Sequence, residues 1–578
     1  MNSIDDPKFH VLDYVIMVLF LVISSAIGIY YGFYKKQTTP EEYLLGGRQM
    51  NLLPVAMSLV VTYQSAVSVL GIPMEHYVYT TMSDYLWVAI MADNAIQALL
   101  LVPLFYPLRL TSTYEYFGRR FKSRAVQLLG TIMGMLQTLL YMAIVLLAPA
   151  LALEAVAGIP LWLSVVMVGI IGTFYTSIGG LRTVIWTDVF QFIILYGGLL
   201  VILILGINKV GGMKRMGEIA IAGGRVNFSI IDPDPRVRHT VWGLLIGGIF
   251  NWLPNCCNQS AVQRICSMKS IRDAKISCLL NIPFLVIYGV LLALVGLLLY
   301  AYFTLEQCDP YLSGAISNNN QLFVLRHKLH VGEYIARSSH RRLEGRSTVQ
   351  ENNDCKTCCL SIRRPCCWSC VPSSFVDGTY HTGVTAMGAT GGPMVGIIFL
   401  GATFPQANWI GAFAGGIIGI VVNMWVALGS FLYGAKAPTS LPVSIEGCLT
   451  KNLTSMSAFN LTNTLATVTN FTTTERVQEG THLAIYDISY MYFGLLGFMV
   501  TFICGLAISM CTGMDREDPT EEEYIFPCLR GFWKIGYTKT SNQPVDAAEM
   551  SKTDVQLENT VPVENLEIEV YHDKTIVK

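Results

Sequence analysis

Eleven times the chain runs through about twenty largely apolar residues, near 12–34, 52–78, 83–107, 124–153, 160–178, 183–207, 241–265, 275–304, 380–403, 408–433 and 487–511. About twenty residues of α-helix span the ~30 Å hydrocarbon core of a bilayer. A helix also satisfies its own backbone donors and acceptors where water is absent. The pattern therefore predicts an all-α polytopic membrane protein. Composition agrees, with 52% hydrophobic and 14% charged residues, against about a quarter charged in soluble domains. A net charge of −1 says nothing about nucleic acid, but no basic domain stands out, and no nucleic-acid partner is expected. Asp5, Asp6, Pro7 and Lys8 precede the first run in place of a basic region, so that run is expected to be an anchor rather than a cleaved signal peptide.

Alternate loops are basic. Lys35, Lys36 and Arg48 follow the first run, Arg109, Arg119, Arg120, Lys122 and Arg124 the third, and Arg264, Lys269, Arg272 and Lys275 the seventh. Positively charged loops stay in the cytoplasm, which puts the N-terminus, residues 1–11, outside. Four glycosylation sequons, at Asn227, Asn452, Asn460 and Asn470, fall in loops expected on that same outer side, the last three within 434–486. Residues 512–578 are polar, acidic and Pro-containing, and read as a cytoplasmic disordered tail. The membrane domain is expected in two parts, 12–304 and 380–511, around a polar segment at 305–379.

A carboxylate interrupts the sixth run: Asp188, in Gly179-Gly180-Leu181-Arg182-Thr183-Val184-Ile185-Trp186-Thr187-Asp188-Val189-Phe190-Gln191. Because it costs roughly 2.5–3.5 kcal/mol even on lenient insertion scales, an intramembrane Asp marks a cation or proton site by default. Ion-coupled transport is the expectation, with pairing of Asp188 to a cytoplasmic arginine such as Arg182 as the alternative. Two other runs are rich in polar and helix-breaking residues: Ser58, Thr62, Gln64, Ser65, Ser68, Gly71 and Pro73 in one, Gly247, Gly248, Pro254, Asn255, Asn258 and Gln259 in the other. Unwound transporter helices need such residues, since released carbonyls coordinate ions there; small residues at ordinary helix contacts are the other reading. These runs are the second and seventh, five apart, like helices one and six of a five-plus-five inverted repeat preceded by an extra helix.

Several segments resemble the sodium/solute symporters: Ser65-Ala66-Val67-Ser68-Val69-Leu70-Gly71, Thr111-Ser112-Thr113-Tyr114-Glu115-Tyr116, Tyr141 with Ala148-Pro149-Ala150-Leu151-Ala152-Leu153, Gly179 to Gln191, and Asn258-Gln259-Ser260-Ala261-Val262-Gln263-Arg264. The likeness covers roughly 10–310 and 380–512. It points to the branch of the sodium-coupled monocarboxylate, multivitamin and iodide transporters. The resemblance implies a LeuT-type five-plus-five repeat with extra N- and C-terminal helices. It also implies a plasma-membrane address, no enzymatic activity, and no cofactor or metal beyond sodium as coupling ion. Its partners would be a small organic anion, sodium and the lipid bilayer. By the same likeness Thr187, Asp188 and Gln191 form one sodium or gating site, and Val61, Gln64 and Ser65 another. Tyr141, Trp252 and Asn258 would line the anion site. Tyr63-Gln64 stands where the monocarboxylate branch usually has an aromatic followed by Met, whereas Tyr486 to Gly494 tilts towards monocarboxylates such as lactate, butyrate or nicotinate.

The likeness stops after Cys308-Asp309-Pro310. The family's core helices eight and nine, one with hydroxyls that complete a sodium site, are lacking, and residues 321–371 hold no apolar run of about 18 residues. Instead they carry Arg341-Arg342, Cys355-x-x-Cys358 and Cys367-x-x-Cys370. Three readings stay open: a metal knuckle, an extracellular disulfide cluster, or replacement of native helices by splicing or a wrong frame. The expectation is a symporter that transports poorly as written, with a non-transporting isoform as the rival class.

Overall fold

The computed structural model describes residues 11–34, 39–157, 159–313, 379–434, 441–444, 483–513 and 522–532, and the fold is that of the compact unit ending at Arg530. Among the described residues every regular element is helical, apart from one isolated bridge between Met50 and Met268. The helices used below are α1 (Val11–Ile29), α2 (Pro40–Leu45), α3 (Leu52–Tyr63), α4 (Ala66–Val78), α5 (Tyr85–Ile96), α6 (Thr113–Arg120), α7 (Arg124–Ala157), α8 (Leu161–Val210), α9 (Met213–Ala222), α10 (Gly248–Cys257), α11 (Gln259–Cys266), α12 (Ile271–Glu306), α13 (Thr379–Thr403), α14 (Trp409–Tyr433) and α15 (Phe493–Cys511).

Eight helices among the described residues are long and apolar enough to cross a membrane, and the bent pair α3–α4 makes a ninth span. The other two of the eleven expected runs fall short for local reasons. Residues 160–178 and 183–207 form one helix, α8, broken at Gly180 with φ 60° and ψ −163°, a region open essentially only to glycine. That break leaves Leu161–Phe174 as a short apolar helix. The run at 241–265 is divided by extended Asn258 into α10, which carries Pro254 inside it, and α11.

Helix α12 is the central pillar, packed on α3, α4, α5 and α8. Its start is fixed by Ser270, whose side chain caps Asp273 N, and its end by Gln307 in the left-handed region. Helix α1 packs on α8 and leaves Val15, Val18, Leu19 and Val22 more than half exposed, the surface expected of a helix facing lipid. Helices α13, α14 and α15 form a second group. A Cβ on Gly415 of α14 would come within 2.6 Å of the Gly505 backbone of α15, so the small residues set how closely these helices approach. The charged segments 321–371 and 533–578, and the sequons at Asn452, Asn460 and Asn470, lie outside the described residues.

A polar cavity between two ion pairs

Helix α3 stops at Tyr63 because Gln64 and Ser65 are extended, and α4 leaves at 61° to it. Ser65 restarts the helix: its Oγ accepts from Val67 N at 3.2 Å, and Ser68 Oγ accepts from Ser65 N at 3.2 Å, a reciprocal cap. The carbonyl of Val61 accepts from Gln64 N at 3.0 Å. The second break follows the same logic. Pro254 removes a backbone donor, and Asn258 Oδ1 accepts from Ala261 N at 3.1 Å to open α11. Tyr63 ties the breaks together, its hydroxyl lying 2.8 Å from Asn255 O, 2.9 Å from Asn258 Oδ1 and 3.1 Å from Ser260 Oγ.

Between the breaks is a cavity of about 50 Å³ whose lining includes Tyr63, Gln64, Asp93, Gln97, Trp252 and Asn255. A second, of about 20 Å³, shares Gln64, Ile90 and Trp252 with it and reaches Ser83 and Glu75. At ~10–15 Å³ of such volume per water, the larger holds a few waters. The polar centre therefore has room for water rather than for a larger solute.

Each half of the bent pair lies against an ion pair. On α3, Ser58 Oγ donates to Asp188 Oδ2 at 2.6 Å, while Arg264 donates from Nη2 to the same oxygen at 3.1 Å and from Nε to Ser58 Oγ at 2.7 Å. On α4, Glu75 Oε1 accepts from Arg238 Nη2 at 2.6 Å. Arg238 also lies over the rings of Tyr79 at 4.6 Å and Tyr490 at 5.7 Å. His239 beside it meets the Tyr490 hydroxyl at 2.8 Å. Burial and the neighbouring Arg238, His381 and His76 hold His239 well below its ordinary pKa.

Of the residues singled out in the sequence, Gln64 and Trp252 line both cavities, while Val61, Ser65, Tyr141 and Asn258 line neither. Asn258 is a strut whose oxygen also accepts from Ser260 Oγ. Tyr141 is carried on α7. Thr187 Oγ1 turns back to the carbonyls of Thr183 and Val184, and Gln191 sits one turn along α8 from Asp188. Asn227 Oδ1 is held by its own sequon hydroxyl, Ser229 Oγ, at 3.0 Å. The pairing alternative holds in kind, since Arg264, one of the basic residues expected in a cytoplasmic loop, takes the carboxylate; only the example is corrected, because Arg182 donates to Gly46 O at the end of α2. Sequence reasoning passed over Arg264 as a loop charge and gave Glu75 no role.

The sodium:solute symporter family model matches residues 43–335. Sodium-coupled monocarboxylate transporter 2 of Mus musculus is 35% identical over 92% of this chain and 89% of its own length. Sodium-coupled monocarboxylate transporter 1 of Homo sapiens is 36% identical over 90% and 91%. The chain belongs to the sodium:solute symporter family. The symporter is also 33% identical to the Homo sapiens sodium/iodide cotransporter, over 93% of this chain and 88% of that one. A solved Na⁺-coupled sialic acid symporter, in a substrate-bound outward-open state, matches with a TM-score of 0.61 at 20% identity, over 89% of this chain and 100% of its own. That likeness gives the symporter its LeuT-type fold. It is a multi-pass membrane protein of a sodium-coupled transporter family, not an enzyme.

Proposed function

We propose that this chain carries small monocarboxylates such as lactate, butyrate or nicotinate together with sodium across the plasma membrane by alternating access, with its N-terminus outside and its C-terminus cytoplasmic. The observation that carries the mechanism is the small cavity at the meeting of two helix breaks, with a buried ion pair beside each half of α3–α4. Glu75–Arg238 is the outer lock and Ser58–Asp188–Arg264 the inner one. Sodium near Thr187, Asp188 and Gln191 competes with Arg264 for one carboxylate, so ion arrival biases the inner lock towards opening. The second sodium sits at the Val61, Gln64 and Ser65 break, where backbone and hydroxyl oxygens suit a hard cation. Trp252 supplies shape to the anion site beside Gln64, and Tyr141 and Asn258 support its walls. The monocarboxylate assignment leans on the relatives' transport of that class, and a halide substrate on the sodium/iodide relative.

Uptake of labelled butyrate, biotin and iodide in sodium against choline medium separates these readings. In a version with residues 321–371 replaced by the two family helices, sodium-dependent butyrate uptake that unlabelled lactate suppresses is expected, with little of it in the chain as written. Sodium-dependent uptake of iodide or biotin alone would replace the substrate assignment.

A further inference from the structure

The larger of these two cavities contains a carboxyl group that the two locks do not use. Asp93 on α5 is 1% exposed, lines that cavity, and has no hydrogen-bond partner for either carboxylate oxygen. No Lys, Arg or His is among the described residues of the lining. Its neighbours are committed elsewhere: Asn94 donates to Ile90 O and Gln97 to Cys256 O. A lone ionised carboxylate in so dry a place needs a compensating positive charge. The adjoining cavity supplies a way in, because it runs from Gln64 to Glu75, whose Oε2 is unpartnered, past the equally unpartnered Ser83 Oγ. One carboxylate with amide oxygens suits a single monovalent charge, and no group of three His, Cys, Asp or Glu that would hold a multivalent metal occurs among the described residues. Asp188 lines neither cavity.

We propose that Asp93 and its cavity form an additional monovalent-cation site, separate from the Asp188 cluster, entered from the Glu75 side and occupied by sodium or a proton. Its occupant neutralises the carboxylate so that an anionic substrate can share the cavity with it. The site goes beyond the monocarboxylate reading and stands without it, since the charge to be compensated is the protein's own.

The test uses the purified full chain without substrate, so that a wrong substrate assignment cannot affect it. Equilibrium binding of radioactive sodium is counted for the wild type, Asp93→Asn and Asp93→Glu, and the protonated-carboxyl infrared band is followed with pH and with sodium. The titratable side chains facing Asp93 in the cavity are Tyr63 and Cys256, neither of which contributes to that band. If sodium is the occupant, Asp93→Asn binds one sodium fewer per chain and Asp93→Glu restores it. If a proton is the occupant, sodium counts are equal, and a carboxyl band that titrates in the wild type is missing from Asp93→Asn. Asp93→Glu, which keeps the carboxyl group and shifts its band, covers the case of an Asp93→Asn that does not fold. Equal sodium counts, together with no carboxyl band responding to pH or sodium that is present in the wild type and missing from Asp93→Asn, would overturn the proposal and leave Asp93 a permanently neutral buried acid.

Discussion

At the scale of single residues, Asp188 shows both the reach and the limit of a linear reading. A carboxylate within an apolar run identifies itself, because hydrocarbon penalises it whatever the fold. Its partner does not, since Arg264 is 76 residues away and Arg182 is six; only the packing of α3, α8 and α11 makes the choice. The same holds for Tyr63, whose hydroxyl bridges two breaks 192 residues apart. Because Ser58, Asp188 and Arg264 share one network, removing one member leaves the others buried without compensation, at about 3–5 kcal/mol for a buried pair. Asp188→Asn is therefore expected to lower the unfolding temperature of the purified protein and to reduce, without abolishing, its rise with sodium, because the site at Val61, Gln64 and Ser65 remains. Adding Arg264→Gln to that variant should recover part of the loss, because the stranded guanidinium is gone. Strict additivity of the two substitutions would mean that Asp188 and Arg264 do not act together.

At the scale of elements, the breaks were legible from Pro, Gly and amide clusters, but their geometry was not. The kink in α8 is the clearest case: Gly179 and Gly180 read as part of a family motif, and the backbone shows that Gly180 alone turns the chain into a region closed to side chains. Gly180→Ala is expected to cost about 1–3 kcal/mol from strain alone, measured as reduced thermal stability, whereas an unchanged midpoint would mean that the kink relaxes without penalty. The Glu75 lock was invisible in the sequence because Arg238 comes from the loop after α9. Its neighbour His239, flanked by Arg238, His381, His76 and Tyr490, is held neutral, while an unfolded histidine takes a proton near pH ~6.5. The unfolded chain then binds more protons, so this contribution to stability is present above about pH 6.5 and is lost as pH falls. Acidification from about pH 7.5 to 5.5 should lower the melting temperature in the wild type and less so in His239→Gln. Asp234, which its hydrogen bonds to Arg236 keep at about 2, is ionised throughout that window and adds nothing to the slope. Equal slopes in the two proteins would remove His239 from the lock.

At the scale of the whole molecule, the all-α membrane architecture follows from run length and hydropathy, since a bilayer admits few solutions to backbone hydrogen bonding. The inverted repeat followed from the spacing of two polar runs, and the likeness to the sialic acid symporter supplies it independently. Substrate identity did not follow, because the residues around the cavity come from α3, α5, α10 and α12 and their convergence is a property of packing. Residues 321–371, where the family's sodium-site helix would lie, fall outside the described residues, and the expectation of weak coupling in this chain rests on its sequence. The most direct measurement is uptake of labelled butyrate, with sodium replaced by choline, in cells expressing this chain beside a version in which residues 321–371 are replaced by the two family helices. Strong sodium-dependent uptake in the restored version, with little in the chain as written, is the predicted result. No sodium-dependent uptake in the restored version would contradict monocarboxylate symport itself, and equal uptake in both would show that 321–371 does not impair coupling.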